Sequence, residues 1–326
     1  MTDNGEFDII RRYFACSNRQ PRRDVLLSIG DDCAITEIKP NRRLAMTTDT
    51  LVEGTHFLPT ISPADLAYKA VAVNLSDLAA MGAEPAWLSL ALTMPNIDHQ
   101  WLTEFSQSFF AILDHYNVEL IGGDTTKGKL SLTITAHGLV AKEKILCRHN
   151  AKVGDWIYVS GTLGDSAAGL DLLLKQMPIE NADQQYLLQR HLRPTPRVLM
   201  GMELAGIANA AIDLSDGLIS DLQHILDRSQ CGAVIELDKL PLSEQLLRQY
   251  PPEQALQFAL AGGEDYELCF TVSEPQREKM ERTLKYLGVA YHCIGQIRAN
   301  KQLQFTQHHQ PVEVTVSHGF DHFSEK

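Results

Sequence analysis

Apolar residues recur along this chain at two spacings, and the change from one to the other marks out its elements. Leu44 to Asp49 is an apolar run that closes on threonine and aspartate, which predicts a strand with a polar end. From Pro63 to Met81, Leu66, Ala70, Val73 and Leu78 recur at helical spacing, and Gly82 can stop the helix. Trp87 to Thr93 is short, leucine-rich and closed by Pro95, which predicts a buried strand. Ile97 to His115 sets Trp101, Phe105, Phe109 and Ile112 on one helical face. Val118 to Ile121 predicts a short strand ending at Gly122-Gly123, and the alternating, threonine-rich Leu130 to Val140 predicts another.

A polar, glycine-containing link from Arg148 to Asp155 then separates two strand patterns. It predicts an N-terminal domain over 1–150 and a C-terminal domain over 151–326. Beyond it, Trp156 to Val159 reads as a strand, and Gly161-Thr162-Leu163-Gly164 turns into a helix through Lys175. Gln184 to Gly206 is helical with a break at Pro194 and Pro196. A strand over Ala210–Leu214, a helix over Leu218–Ser229 and a strand over Ala233–Leu237 follow. Strands at Glu267–Val272 and Tyr291–Ile297 flank a helix from Pro275 to Leu287. Each half mixes strands and helices, so each is expected to be an α+β layer pair.

Composition narrows the function classes. The 326 residues give room for roughly two domains of ~150 residues. A net charge of −12 argues against a nucleic-acid surface. The six cysteines are dispersed, with no Cys-x-x-Cys pair, so neither a zinc knuckle nor a redox motif is visible. Met1 to Arg12 has no apolar core, and Ala86 to Met94 falls far short of the ~20 residues a membrane span needs. A cytoplasmic protein with reduced thiols is expected.

The chemistry sits in five short aspartate motifs: Gly30-Asp31-Asp32, Thr47-Thr48-Asp49-Thr50, Asn74-Leu75-Ser76-Asp77, Gly122-Gly123-Asp124-Thr125 and Asp213-Leu214-Ser215-Asp216-Gly217. Each has an everyday explanation. Gly-Asp is a common turn, and threonine favours strands. Asp77 stands on a polar helix face or is paired or metal-bound. Ser215 or Asp216 can cap a helix, which leaves Asp213 unexplained. In Thr47-Thr48-Asp49, strand alternation sends neighbours to opposite faces, but a bulge or strand end could gather their oxygens. Taken together, oxygen ligands beside tight backbone suit Mg²⁺, which is held by one or two carboxylates plus substrate phosphates. Gly123 to Lys129 fits the first seven places of a P-loop, but Leu130 replaces the magnesium hydroxyl and a strand follows where a helix must open. The diglycine is better used to let backbone approach a phosphate. Gly262-Gly263-Glu264-Asp265-Tyr266-Glu267 reads as a loop before a strand. His56 and Arg148 are open between structural and ligand-binding roles.

In order and spacing these motifs resemble the thiamine-monophosphate kinases, within the superfamily named for aminoimidazole ribonucleotide synthetase. The resemblance runs from Gly30-Asp31-Asp32 through Gly263-Glu264-Asp265-Tyr266-Glu267 to Gly319-Phe320-Asp321-His322-Phe323. It implies a two-domain α/β fold, with an N-terminal mixed sheet carrying helices and a C-terminal α/β sandwich. It also implies a homodimer through the N-terminal sheets and transfer of the ATP γ-phosphoryl to thiamine monophosphate. The N-terminal domain would bind ATP and magnesium, and the C-terminal domain would complete the metal and substrate site. By motif, Asp32, Thr47, Thr48, Asp49, Asp77, Asp124, Asp213 and Asp216 would be magnesium ligands. Gly123, Asp124, Arg148 and Ser215 would hold the nucleotide, and His56, Glu264 and Phe320 the thiamine monophosphate. Phe320 stands where some members have tryptophan, which keeps a ring but a weaker cation–π face. Direct transfer without a phosphoenzyme or catalytic histidine is expected. The rivals are a synthetase of the same superfamily and a non-catalytic nucleotide sensor.

Overall fold

The computed structural model of the protein describes residues 5–15 and 22–314. The chain divides into two compact units, Met1–Leu78 with Ala83–Lys142, and Ala79–Gly82 with Glu143–Lys326. In chain order the first carries a short helix α1 (Glu6–Ile9) and strands β1 (Val25–Leu27), β2 (Ile35–Thr36) and β3 (Arg42–Val52). Helix α2 (Pro63–Ala80), β4 (Glu84–Met94), α3 (His99–His115), β5 (Glu119–Lys127) and β6 (Ser131–Ala141) follow. The main sheet has the order β3-β6-β4-β5. It is mixed: β4 and β5 run parallel, the other neighbours antiparallel.

Burial alternates along β6, with Leu132, Ile134 and Ala136 inside and Thr133, Thr135 and His137 on the other face. Helices cover the inner face. Leu66, Leu75 and Leu78 of α2 and Phe105 and Phe109 of α3 are fully buried, each worth about 1.5–3 kcal/mol relative to exposure. α2 is buried nearly all round, so its apolar face is wider than the stripe its periodicity suggested. The outer face bears Met46, 67% exposed, beside the threonine pairs Thr48–Thr135 and Thr50–Thr133.

The strand predicted to stop at the diglycine does not stop there. β5 runs on through Gly122, Gly123 and Asp124 to Lys127. Its register against β4 shifts between Leu88 and Ser89, and Gly123 follows with φ 153°. A Cβ at Gly123 would run into the Leu90 carbonyl. The neighbouring strand therefore demands this glycine before any ligand does.

The second unit contains β7 (Trp156–Ser160), α4 (Asp165–Leu174), α5 (Ala182–Leu192), α6 (Val198–Leu204), β8 (Ala210–Asp213), α7 (Leu218–Ser229) and β9 (Gly232–Glu236). After these come α8 (Glu244–Gln249), α9 (Pro252–Ala261), β10 (Leu268–Val272), α10 (Arg277–Leu284), β11 (Tyr291–Arg298), β12 (Leu303–Gln307) and β13 (Gln310–Val312). The sheet order is β13-β12-β9-β11-β7-β10-β8, antiparallel except where β12 meets β9. Its core gathers Ile157, Val159, Ile212, Leu222, Ile225, Ile235 and Ile294. A satellite cluster of Ala168, Leu172, Leu187, Leu246 and Ala255 joins α4, α5, α8 and α9. Both units have the mixed α/β architecture read from the sequence. The helix expected over Pro275–Leu287 is shorter, opening as a 3-10 turn at Glu274–Gln276 and ending with α10 at Leu284.

Replacing Gly123 by alanine is expected to destabilise the ligand-free protein by more than about 2 kcal/mol, since it adds both a backbone clash and a strained φ. Denaturant unfolding checks this. Alanine at Gly122, which has open space around it, should cost far less.

Candidate active site

Within the first unit, β3 and α2 bring three expected residues together. Pairing of β3 with β6 is unbroken from Arg42 opposite Ala141 to Val52 opposite Ser131. Alternation therefore puts Thr47 and Asp49 on one face. The Thr47 hydroxyl donates to Asp77 Oδ2 on α2. Burial, and then the negative charge of Asp77, push the Asp49 carboxyl up from 3.8 to about 6. Two half-buried carboxylates and a hydroxyl thus share one neighbourhood. Asp77 is the half-buried position in a run where Ala70 to Ser76 are all buried.

Thr48 does not share that face. The bulge or strand end that could have gathered its hydroxyl with Thr47 and Asp49 is absent. Its side chain lies on the opposite face, 3.0 Å from Thr135 Oγ1. Only its main chain can join the other two.

The remaining first-unit residues stand in simpler settings. Asp31 Oδ1 accepts the Asp32 amide at 3.1 Å, a turn acid, and the Asp32 side chain is exposed. Asp124 is exposed in mid-strand, opposite Ala91. No helix follows Lys127, so the P-loop reading fails as expected. His56 lies in the turn after β3, where its Nδ1 accepts the Val52 amide at 3.0 Å.

In the second unit two motifs run side by side. The amide of Glu264 donates to the Ser215 carbonyl at 2.8 Å, Tyr266 to Leu214 at 2.9 Å, and Leu214 to Glu267 at 2.8 Å. Asp213, 3% exposed, ends β8 opposite Leu268 of β10. Asp213, Ser215, Asp216 and Glu264 are thereby carried on one paired stretch. The expected capping of α7 by Ser215 or Asp216 is not what occurs. The cap residue is Gly217, without a side-chain bond, and Asp221 reaches back to accept the Asp216 amide at 3.0 Å. Arg148 is exposed; its carbonyl accepts the Ser229 hydroxyl at 2.9 Å. Phe320 lies outside the described residues.

Sequence reasoning missed the residues that hold these motifs. Burial pushes Asp221 up to about 7, while the Asp216 amide and the Arg148 charge pull the other way. Asp265 is likewise raised by burial to about 7, against the pull of Arg190 and of the Gly164 and Ser166 amides. Glu267, 0% exposed, accepts from Arg197 Nε at 2.6 Å, Arg190 Nη2 at 2.9 Å and the Ser160 hydroxyl. Burial alone would raise its carboxyl; the two guanidiniums and the hydroxyl win, and it is held below its usual range. An acid in the first turn of α7 was the one local hint of Asp221. Nothing local announces Arg190 or Arg197, which lie 77 and 70 residues from Glu267.

Among the described residues, no group of three or more His, Cys, Asp or Glu side chains is arranged to hold a metal ion. The donor set still fits Mg²⁺. It is made of oxygens only, and Asp49 is under repulsion from Asp77 that a bound cation would relieve.

Comparison with known proteins gives the family. The description "AIR synthase related protein, N-terminal domain" matches residues 30–140, and its C-terminal counterpart matches 152–307. A thiamine-monophosphate kinase of Haemophilus influenzae is 59% identical over 326 residues, covering 98% of each chain. The chain belongs to the thiamine-monophosphate kinase family. A crystal structure of thiamine-monophosphate kinase from Stenotrophomonas maltophilia K279a is 43% identical with a TM-score of 0.84, covering 89% of this chain and 93% of that one. A further kinase of this family, AaThiL complexed with AMPPCP and TMP, is 34% identical with a TM-score of 0.78 over 91% and 92%. Among the described residues, no helix of this family member is long and apolar enough to cross a membrane.

The raised Asp49 carboxyl sets a pH dependence. The folded state holds its proton more tightly than the unfolded chain does, so this contribution to stability is complete below 3.8 and is lost as pH rises through about 6. In magnesium-free buffer, Asp49→Asn is therefore expected to flatten the fall in melting temperature between about pH 4 and pH 7. A variant profile parallel to that of the parent would refute the raised Asp49 carboxyl.

Proposed function

We propose that the protein transfers the γ-phosphoryl group of ATP to thiamine monophosphate, forming thiamine diphosphate and ADP. The observation that carries this reading is the 59% identity to a thiamine-monophosphate kinase over 98% of both chains. A relative's complex with AMPPCP and TMP supports the two substrates. In this reading Asp32, Thr47, Asp49, Asp77, Asp124, Asp213 and Asp216 hold Mg²⁺, with Thr48 contributing main chain. Gly123, Asp124, Arg148 and Ser215 hold the nucleotide, and His56, Glu264 and Phe320 the thiamine monophosphate.

Charge dictates the mechanism. Donor and acceptor are both phosphates, and the residues around them are carboxylates. Two unit charges 4 Å apart repel by ~4 kcal/mol at an effective dielectric of 20. Carboxylates cannot bind phosphates directly, so Asp49 and Asp77 serve as anchors for cations. Mg²⁺, when bound, neutralises the phosphate charge and aligns the groups in line. An acceptor phosphate oxygen forms the new P–O bond as the bond between the β,γ-bridging oxygen and the γ-phosphorus breaks, its electron pair leaving with ADP. The acceptor is already ionised, so no strong general base is needed. His56, whose Nδ1 accepts the Val52 amide, is a contact residue in this reading and transfers no proton in the reaction.

Incubation with ATP, Mg²⁺ and thiamine monophosphate should yield thiamine diphosphate by mass spectrometry, while free thiamine stays unphosphorylated. Asp49→Asn and Asp124→Asn should each lower kcat by about 100-fold or more with the fold intact. Absence of product would turn the assignment toward a synthetase of the same superfamily. A phosphorylated protein in single-turnover labelling would overturn direct transfer.

A homodimer through the outer face of the β3-β6-β4-β5 sheet belongs to the same proposal. Met46 lies exposed on that threonine-lined face. Sedimentation should show a dimer, and Met46→Lys should shift it toward monomer.

A further inference from the structure

The segment Glu264–Glu267 is pinned almost residue by residue from α4 and α5. Glu264 and Tyr266 have φ 67° and 51°, the left-handed region that side chains rarely adopt. Such backbone persists only where its surroundings over-determine it. Asp265 accepts the amides of Gly164 at 2.6 Å and Ser166 at 3.1 Å, at the start of α4. Glu267 is locked by Arg190 and Arg197. Between these anchors, the Glu264 side chain meets a ring from the end of α5. His191 is 4% exposed, and its Nδ1 stands 3.1 Å from Ser166 Oγ and 3.5 Å from Glu264 Oε2.

Helix packing delivers this ring. α5 comes close to α4 at Gly169, where a Cβ would collide with the Leu187 carbonyl and crowd His191 Cβ. A buried imidazole between two helices is an expensive way to fill space, because its nitrogens must be satisfied. Here Nδ1 faces one buried hydroxyl and one carboxylate oxygen. Ser166 is itself fully buried on α4. With the proton on Nδ1, one N–H is shared between the hydroxyl and the carboxylate oxygen, so the ring holds the carboxylate beside a buried hydroxyl.

We propose that His191 is a positioning residue that aims the Glu264 carboxylate at the thiamine monophosphate, through the chain Ser166–His191–Glu264. This rests on the reading that Glu264 contacts that substrate. His191 neither touches substrate nor moves a proton in the transfer. It restricts the Glu264 side chain to one orientation, and so tunes affinity for the acceptor without touching the nucleotide.

The test is a set of steady-state kinetics and melting curves on four variants. His191→Ala should raise KM for thiamine monophosphate about tenfold, leaving KM for ATP within about twofold. His191→Asn, whose Nδ2 overlies the imidazole Nδ1, should restore most of that loss. Ser166→Ala should shift KM the same way by less, and it serves where His191→Ala melts below the assay temperature. Equal changes in both KM values, or an asparagine variant no better than alanine at matched melting temperature, would overturn the proposal. Glu264→Gln separates the two layers of the reading. If it leaves KM for thiamine monophosphate unchanged, the placement of Glu264 at the substrate falls, and the proposal with it. If it raises KM while His191→Ala and Ser166→Ala do not, only the positioning role falls.

Discussion

One buried carboxylate organises the second unit. Glu267 is removed from water at the start of β10, where an isolated charge would be costly by several kcal/mol. Arg190 from the end of α5, Arg197 before α6 and Ser160 from the end of β7 compensate it. Four separate elements are thereby tied to one point. The next element along, the paired stretch of Leu214–Ser215 with Glu264–Tyr266, hangs from that tie through backbone bonds of 2.8–2.9 Å. Any account of how Ser215, Asp216 and Glu264 come to be fixed runs through this ion cluster. Removing one guanidinium would leave the rest of the cluster buried and unbalanced, which is why such groups are kept as a set.

Both units bury acids, and they compensate them unequally. In the second, Glu267 is compensated by arginines and held below its usual range, whereas Asp265 and Asp221 accept amides and are still raised by burial to about 7. In the first, burial and then the charge of Asp77 raise the Asp49 carboxyl to about 6. Internal compensation builds a rigid frame. Under the proposed function, a cation bound beside Asp49 and Asp77 would relieve their repulsion.

Much of the fold was legible in the chain because periodicity reports burial directly. The span of α2 differs by one residue from the predicted helix, and α7 coincides with it. The misses share a cause. β5 continues past Gly122-Gly123 because β4 supplies the missing ladder, and local propensity cannot see a neighbouring strand. α8, α9, β12 and β13 are short, and each is stabilised by the partner it packs on. At the candidate site, the aspartates beside glycine and threonine are visible as motifs in the chain. The residues that hold them did not, since a buried arginine and a surface arginine look alike in sequence.

The sequence by itself determined which chemistry this protein can hold: oxygen donors in a fixed order, family motifs, and two mixed α/β halves. Those depend on residue type and on short-range spacing. Only the tertiary structure decided that Thr48 faces away from Asp49, that Asp221 rather than Ser215 or Asp216 steadies the start of α7, and that His191 meets Glu264. Each of those is a matter of direction. Direction is set by strand register and helix contact between residues far apart in the chain, and these exist only once the core has closed.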